Sequence, residues 1–316
     1  MTPAAASVGL MGMVQEHVLL GPRTTYKMGG PARYLAEVPD EAALLRLADA
    51  LSGSSPAGDS LPVLVLGRGS NLLVSDDGFP GLVVLLGKAF AHVEVAEDDS
   101  VLAGGAASLP VVARTAGEAG RGGLEFLVGI PGSVGGGVRM NAGCHGAEVV
   151  DRLRSARVVS LLSGRVTERE AGGLDLAYRH SNLAPHEVVT RARFAAHPRS
   201  PAQSRELIRE ITRWRRDNQP GGTLNAGSVF RNPPGDAAGR LIDSLGLKGF
   251  RVGRASVSEK HGNFFIADRH ASAQDVYDLV WAVRRRVGEE AGVWLEPEVQ
   301  FAGPFRPSAD RQAGPP

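Results

Sequence analysis

Val63-Leu64-Val65-Leu66-Gly67-Arg68-Gly69-Ser70-Asn71-Leu72-Leu73-Val74 is the stretch on which the fold of this chain turns. A short apolar, strand-like run enters a glycine-rich turn and leaves into a second apolar run. Glycine has no Cβ to cover the backbone, and successive N–H groups in a turn make an anion nest. The turn therefore reads as a phosphate-binding candidate. It is not the fingerprint of a dinucleotide-binding βαβ unit, which needs a third glycine and then a helix; here Leu72-Leu73-Val74 follows instead. A GxxxxGK[ST] loop is absent as well.

Two further stretches have the same character. They are Met28-Gly29-Gly30-Pro31-Ala32 and Gly129-Ile130-Pro131-Gly132-Ser133-Val134-Gly135-Gly136-Gly137. Any one of them is explained by a tight turn. Three together favour a phosphate-bearing ligand, and the glycine content of 41 residues is concentrated in such places.

Around these loops the pattern alternates between strand and helix. Asp40 caps a helix running to about Leu51. Strand-like runs follow at Val63–Leu66, Leu72–Val74, Val83–Leu86 and His92–Ala96, then a helix from Leu109 to about Ala119. Two more runs lie around Arg157–Leu162 and Glu187–Phe194. Ser200 and Pro201 open a helix with Leu207, Ile208, Ile211 and Trp214 on one side. Ser272 and Asp275 form a capping box for a last helix carrying Val276, Leu279, Val280, Val283 and Val287. Gly292 stops it, and Val293–Phe301 reads as a strand.

A chain of 316 residues suits two or three modest domains. The divisions expected are a flexible terminus at 1–20, units at 21–88, 89–199 and 200–303, and a flexible tail at 304–316. A net charge of +1 gives no electrostatic case for a nucleic-acid or membrane partner. Apolar runs are of strand length, and the N-terminus lacks the basic residue and apolar core of a signal peptide. Cys144, the only cysteine, excludes an intrachain disulfide and fits a reducing, cytoplasmic setting. The scattered histidines show no metal-ligand spacing.

Several stretches resemble the UDP-N-acetylenolpyruvoylglucosamine reductase family. They are Thr24-Thr25-Tyr26-Lys27-Met28-Gly29-Gly30, Gly67-Arg68-Gly69-Ser70-Asn71-Leu72-Leu73 and Gly129–Gly136. Tyr178-Arg179-His180-Ser181, Ala226-Gly227-Ser228-Val229-Phe230-Arg231-Asn232-Pro233, Val257-Ser258-Glu259-Lys260-His261 and Leu295-Glu296-Pro297-Glu298-Val299 continue it in family order. The resemblance implies an α+β protein with a two-subdomain FAD-binding unit of the PCMH/vanillyl-alcohol-oxidase type, followed by a smaller α+β substrate-binding domain. It implies non-covalent FAD, NADPH as electron donor and UDP-N-acetylglucosamine enolpyruvate as substrate; a monomer is expected.

By the same resemblance FAD would be held by Tyr26, Gly29, Gly30, Gly67, Arg68, Gly69, Ser70 and Asn71. Gly129, Ile130, Pro131, Gly132, Ser133, Gly135 and Gly136 would join them, with Asn141, Ala142 and Gly143 close by. The substrate would meet Arg231, Asn232, Lys260, His261 and Asn263. Two features depart from the commonest pattern. Cys144-His145 follows Asn-Ala-Gly and invites a covalent flavin link, although packing or a polar contact explains the pair more simply. The segment after Tyr178 has no tyrosine before Tyr277, so the chain resembles the subclass without an inserted tyrosine loop.

Reducing a vinyl ether carboxylate adds hydride to the terminal carbon and a proton to the carbon bearing the carboxylate. Negative charge builds on the carboxylate as this happens, and fixed donors there stabilise the transition state selectively. Arg179 suits that role through a two-point grip. Glu298 would be a second stabiliser, provided that it carries a proton, and Ser228 the proton donor. Strand periodicity alone does not separate Glu298 from Glu296; the family motif selects Glu298. The competing readings are an FAD-dependent alcohol or sugar oxidase of the same fold, and a non-catalytic FAD-binding relative. Neither has a use for Arg179, Ser228 and Glu298 together.

Overall fold

A computed structural model describes residues 13–52 and 61–312. The expectations for the first 12 residues and for residues 313–316 lie outside the described residues. In chain order the main elements begin with β1 (Val14–Leu19), β2 (Pro31–Val38), α1 (Glu41–Ser52), β3 (Val63–Val65), β4 (Leu72–Val74) and β5 (Phe79–Leu86). Next come β6 (Val93–Val95), β7 (Ser100–Gly104), α2 (Leu109–Glu118), α3 (Val134–Arg139), β8 (Leu153–Ser160), β9 (Val166–Glu170) and β10 (Glu187–Ala195). The last are α4 (Pro201–Asn218), α5 (Ala238–Ser244), β11 (Ala255–Val257), β12 (Phe265–Ala267), α6 (Ala273–Ala291) and β13 (Gln300–Ala302). The chain groups into two discontinuous units. One holds residues up to Glu16, Tyr34–Arg68 and Gly81–Trp214; the other holds His17–Arg33, Gly69–Pro80 and the residues from Arg215 onward.

The first unit has two cores. Helix α1 starts where the Asp40 carboxylate accepts from the Ala43 N–H at 2.8 Å. It buries Ala43, Leu44, Leu47 and Ala48 against Leu82 and Val84 of β5. Strand β5 runs parallel to β3, pairing Val63 with Leu82, in a sheet of order β1-β2-β5-β3. Arg157 of β8 grips Glu41 at two points, 2.7 and 2.9 Å. The five-stranded antiparallel sheet β9-β8-β10-β7-β6 carries the second core. There Val101, Ala103, Ala192 and Phe194 meet Leu109, Val112, Ala113 and Ala116 of α2.

A buried carboxylate fastens the start of α4 to the 3₁₀ turn Glu125–Gly129, the lead-in to the third glycine loop. Glu125 accepts from the Ser204 hydroxyl at 2.7 Å and the Gly123 N–H at 2.7 Å, and it pairs with Arg199 at 3.0 Å. Only Ser204 is fully buried on α4, while Ile208 and Ile211 pack partly against the core. Trp214, expected on the same apolar side, is 46% exposed.

The second unit is built on α6. Ser272 accepts from the Asp275 N–H and Asp275 from the Ser272 N–H, at 3.0 and 3.1 Å, closing the capping box. Asp76 adds acceptors for the Ala273 and Gln274 N–H groups at 2.9 and 3.0 Å. Gly292 ends the helix at φ +71°, which glycine adopts without strain. Its apolar stripe packs with Tyr26, Phe230 and Phe265, and β11 and β12 pair antiparallel beneath it.

Several expectations change. Val14–Leu19, expected in a frayed end, is a strand. Residues 305–311, expected as a loose tail, are tied to α6: Phe305 stacks on Tyr277 at 4.5 Å, Arg285 pairs with Asp310, and Arg311 donates to the Tyr277 hydroxyl. The expected strand Val293–Phe301 shortens to β13, which pairs in parallel with β4. Helices α3 and α5 were not anticipated, because glycines obscure the first and the second is only seven residues long.

Burial pushes the Glu125 carboxyl up, but the donors from Ser204, Gly123 and Arg199 outweigh it and hold the group below its ordinary value. A carboxyl depressed in the fold stabilises the folded state above its unfolded pKa of about 4.3, and that contribution is lost as pH falls through the folded value. The melting temperature of the wild type should therefore fall more steeply below about pH 4 than that of Glu125→Gln. Parallel curves for the two proteins would contradict this.

Candidate active site

In the first unit, the loop Gly129–Gly137 is shaped by close backbone packing. Ser133 caps α3, its hydroxyl accepting from the Gly136 N–H at 3.4 Å. The Gly135 N–H donates to the Gly105 carbonyl at 2.8 Å, and a Cβ on Gly67 would stand 2.4 Å from the Ser133 hydroxyl. Among the described residues, the N–H groups of Gly132 and Ser133 have no acceptor. In the second unit Gly69 has φ +61°, and a Cβ there would lie 2.5 Å from the Arg23 carbonyl. The N–H groups of Gly69, Ser70 and Asn71 likewise find no acceptor among the described residues. N–H runs with no Cβ over the glycines suit the oxygens of a diphosphate, so these residues fit the FAD that the motifs imply.

Other expected flavin residues have internal duties. Gly29, at φ +115°, and Gly30 let the chain pass β4 and Asp76: a Cβ would meet Val74 Cβ at 2.6 Å and the Asp76 carbonyl at 2.2 Å. Tyr26 is buried in the core, its hydroxyl donating to the Phe265 carbonyl at 3.0 Å, and burial drives its pKa upward. Its side chain thus packs the second unit. The Asn71 side chain donates to the Glu298 carbonyl at 3.0 Å. Cys144 donates to the Phe126 carbonyl at 2.9 Å and His145 meets Trp214 edge-on at 5.0 Å, so packing and polar contacts account for that pair.

Arg179 stands in the first unit on a tight turn closed by mutual hydrogen bonds between Ala177 and His180. Its φ of +55° is uncommon for a residue with a Cβ. The guanidinium donates to the carbonyls of Asn141 and Gly143 at 3.4 and 3.2 Å, and to Glu148 Oε1 at 3.2 Å. It also lies 4.8 Å from the centre of the Tyr178 ring. Glu148 was not anticipated from sequence, where it is only an acidic residue beyond the Asn-Ala-Gly turn.

Ser228 and Glu298 stand together in the second unit. Ser228 bridges Phe264 and Phe230 bridges Pro297, so residues 228–230 lie between two neighbouring segments. The Val229 carbonyl accepts from the Glu298 N–H at 2.7 Å, and the Val229 N–H donates to the Asn263 carbonyl at 2.9 Å. Ser228 is half-buried, and its hydroxyl has no hydrogen-bond partner among the described residues. Burial separates the two glutamates, since Glu298 is half-buried whereas the Glu296 side chain is 75% exposed and pairs with Arg231.

The expected substrate contacts divide. Asn263 is buried with its amide spent on Phe230, accepting from its N–H at 2.9 Å and donating to its carbonyl at 2.8 Å. It shapes the serine loop and does not reach outward. Asn232 caps α5 through the Ala238 N–H at 3.0 Å, and Lys260 reaches the Arg216 carbonyl at 2.6 Å near the end of α4. His261 Nδ1 accepts from the Asn263 N–H at 3.1 Å, and burial lowers its pKa, so the ring is neutral with its proton on Nε2. Among the described residues no cluster of His, Cys, Asp and Glu could hold a metal ion, and no helix is long and apolar enough to cross a membrane.

Comparison with known proteins agrees with this geometry. Residues 47–169 match the family described as an FAD-binding domain, which defines the chain as a flavoprotein of that class. Residues 219–302 match the C-terminal domain of UDP-N-acetylenolpyruvoylglucosamine reductase. The reductase 2 of that name from Symbiobacterium thermophilum is 43% identical over 92% of this chain and 93% of its own length. The reductase from Sphingopyxis alaskensis is 42% identical over 96% and 99%. The crystal structure of the Thermus caldophilus enzyme superposes with a TM-score of 0.78 at 39% identity, covering 91% of this chain and 98% of that one. The chain belongs to the UDP-N-acetylenolpyruvoylglucosamine reductase family.

Because the Asn263 amide is consumed internally, Asn263→Ala should cost about 1–3 kcal/mol of unfolding free energy by stranding the Phe230 N–H and carbonyl. A denaturant melt measures this. Unchanged stability with weakened sugar binding would show that the amide faces the ligand instead.

Proposed function

We propose that this chain reduces the enolpyruvyl ether of UDP-N-acetylglucosamine to UDP-N-acetylmuramate at the expense of NADPH, in peptidoglycan precursor synthesis. The observation that carries the reading is the Val229 clamp, which sets Ser228 and Glu298 on adjoining segments of one unit. Bound FAD would supply the hydride and recover it from NADPH. The rest falls to side chains of this chain.

Arg179 would grip the substrate carboxylate, where the charge of the developing enolate gathers. A guanidinium is always protonated and presents paired N–H donors, so it stabilises that charge more as the reaction proceeds than at its start. Glu298, in its protonated form, would donate a second hydrogen bond to the same charge. Ser228 would hand its hydroxyl proton to the carbon bearing the carboxylate. A serine is a weak acid in water, so the transfer depends on a fixed position and a strongly basic carbon. Arg231, Lys260 and His261 would meet the UDP diphosphate as cation or N–H donors. The same reading assigns the protein to the cytoplasm as a monomer, in a pathway that determines cell shape and division.

Two measurements test this reading. Non-covalent FAD should be released into the supernatant when the yellow protein is precipitated with acid; flavin remaining with the pellet would contradict it. In Ser228→Ala, reduction of FAD by NADPH should persist, while transfer to the enolpyruvyl sugar falls by about 10²–10⁴-fold. Ser228→Cys should recover part of that loss. Equal slowing of both half-reactions in Ser228→Ala would show that Ser228 supports the flavin site instead.

A further inference from the structure

The geometry points to Glu148 as the residue that positions Arg179 for the substrate carboxylate, an inference that rests on the reading of Arg179 above. The Glu148 carboxylate turns its two oxygens to two side-chain donors. Oε1 accepts from Arg179 Nη1 at 3.2 Å and Oε2 accepts from Asn141 Nδ2 at 2.9 Å. Asn141 is a firm anchor. It is 0% exposed, and its amide also donates to the Ala177 carbonyl at 3.1 Å and accepts from the Val150 N–H at 2.9 Å. The turn that carries Arg179 is thereby tied at Ala177 to the same asparagine that holds Glu148.

The backbone is arranged for this contact. Gly143 pairs with Glu148 across a two-residue antiparallel ladder, and a Cβ on Gly143 would stand 2.7 Å from Glu148 Cγ. This gives Gly143 a use separate from the flavin: it clears the path of the glutamate. The Glu148 N–H is held by Asp151 at 2.8 Å, closing a capping box on the 3₁₀ turn Val149–Asp151. Arg179 and Asn141 have φ of +55° and +40°, backbone that costs energy for residues with a Cβ and persists only where neighbours fix it. A cation on a strained turn needs fixed acceptors if its fork is to keep one orientation. Glu148 provides the charged one.

A carboxylate is required because both partners donate. Glutamine offers one acceptor and one donor group, so in either orientation its NH₂ faces an N–H. Glu148→Gln keeps the size and loses the fit. The test uses the holoenzyme, reduced anaerobically with NADPH and mixed with the enolpyruvyl sugar, comparing wild type, Glu148→Gln, Arg179→Lys and the double variant. A misaligned binding group costs up to about 10²-fold, so Glu148→Gln should slow this step by about 10- to 100-fold. Added to Arg179→Lys it should cost less than about 2-fold more, because the two residues act as one unit. Calorimetric binding of the sugar to the oxidised protein, without turnover, should show the same non-additivity.

Losses that multiply, with Arg179→Lys slow on its own, would overturn the inference and leave the role of Arg179 standing. Arg179→Lys at near wild-type rate would overturn both. A Glu148→Gln protein that fails to retain FAD is replaced in the cycle by Glu148→Asp, which keeps the charge but is one methylene too short to reach both partners. The same coupling is expected of it, and multiplied losses there would overturn the inference equally.

Discussion

The Val229 carbonyl accepts the Glu298 N–H at 2.7 Å, and the chemistry of the second unit depends on that bond. Serine and glutamate lie far apart in the chain, and neither sits on a regular element long enough to fix it. The backbone of residues 228–230 is bound on one side to Asn263–Phe264 and on the other to Glu296–Glu298. Buried backbone groups left unpaired cost about 1–3 kcal/mol each, so this arrangement resists slippage. A shift of register on either side would carry Ser228 or Glu298 away from its neighbour. Asn263 and Asn71 are best understood as parts of the same frame, one bonded to Phe230 and the other to the Glu298 carbonyl.

Glycine solves the positioning problem of the loops in each unit. Loops in which another backbone comes within 2–3 Å of a virtual Cβ tolerate only glycine, which explains Gly29, Gly30, Gly69 and Gly143; at Gly67 the close neighbour is the Ser133 hydroxyl. The same absence of side chains leaves N–H groups uncovered at Gly132–Ser133 and Gly69–Asn71, as a diphosphate ligand requires. Packing and ligand binding are therefore not rival explanations of the glycine clusters. Gly29 and Gly30 are accounted for by packing, while the other two loops also present donors.

What could be read in the sequence was what depends on local rules. Asp40, Ser272 with Asp275, and Gly292 mark helix ends through bonds to residues three or four positions away, and all three marks recur in the structure. The alternation of apolar runs located most strands of the five-stranded sheet. Features set by distant partners were not legible. Glu148 acquires its meaning from Arg179, and Asn263 from Phe230, contacts over 31 and 33 residues that no periodicity encodes. A motif records that Tyr26 or Asn263 matters without recording which way its side chain faces. The shortened β13 has a similar cause: Pro297 and the bridge to Phe230 interrupt what reads as one continuous run.

One anaerobic measurement tests the reductase reading most directly. The protein is reduced with NADPH until the oxidised-flavin absorbance band has bleached, and the UDP-linked enolpyruvyl sugar is then added without oxygen. The band should return in full, with one equivalent of UDP-N-acetylmuramate formed per flavin. A band that stays bleached until air is admitted would contradict it, because electrons would then reach oxygen and not the vinyl ether.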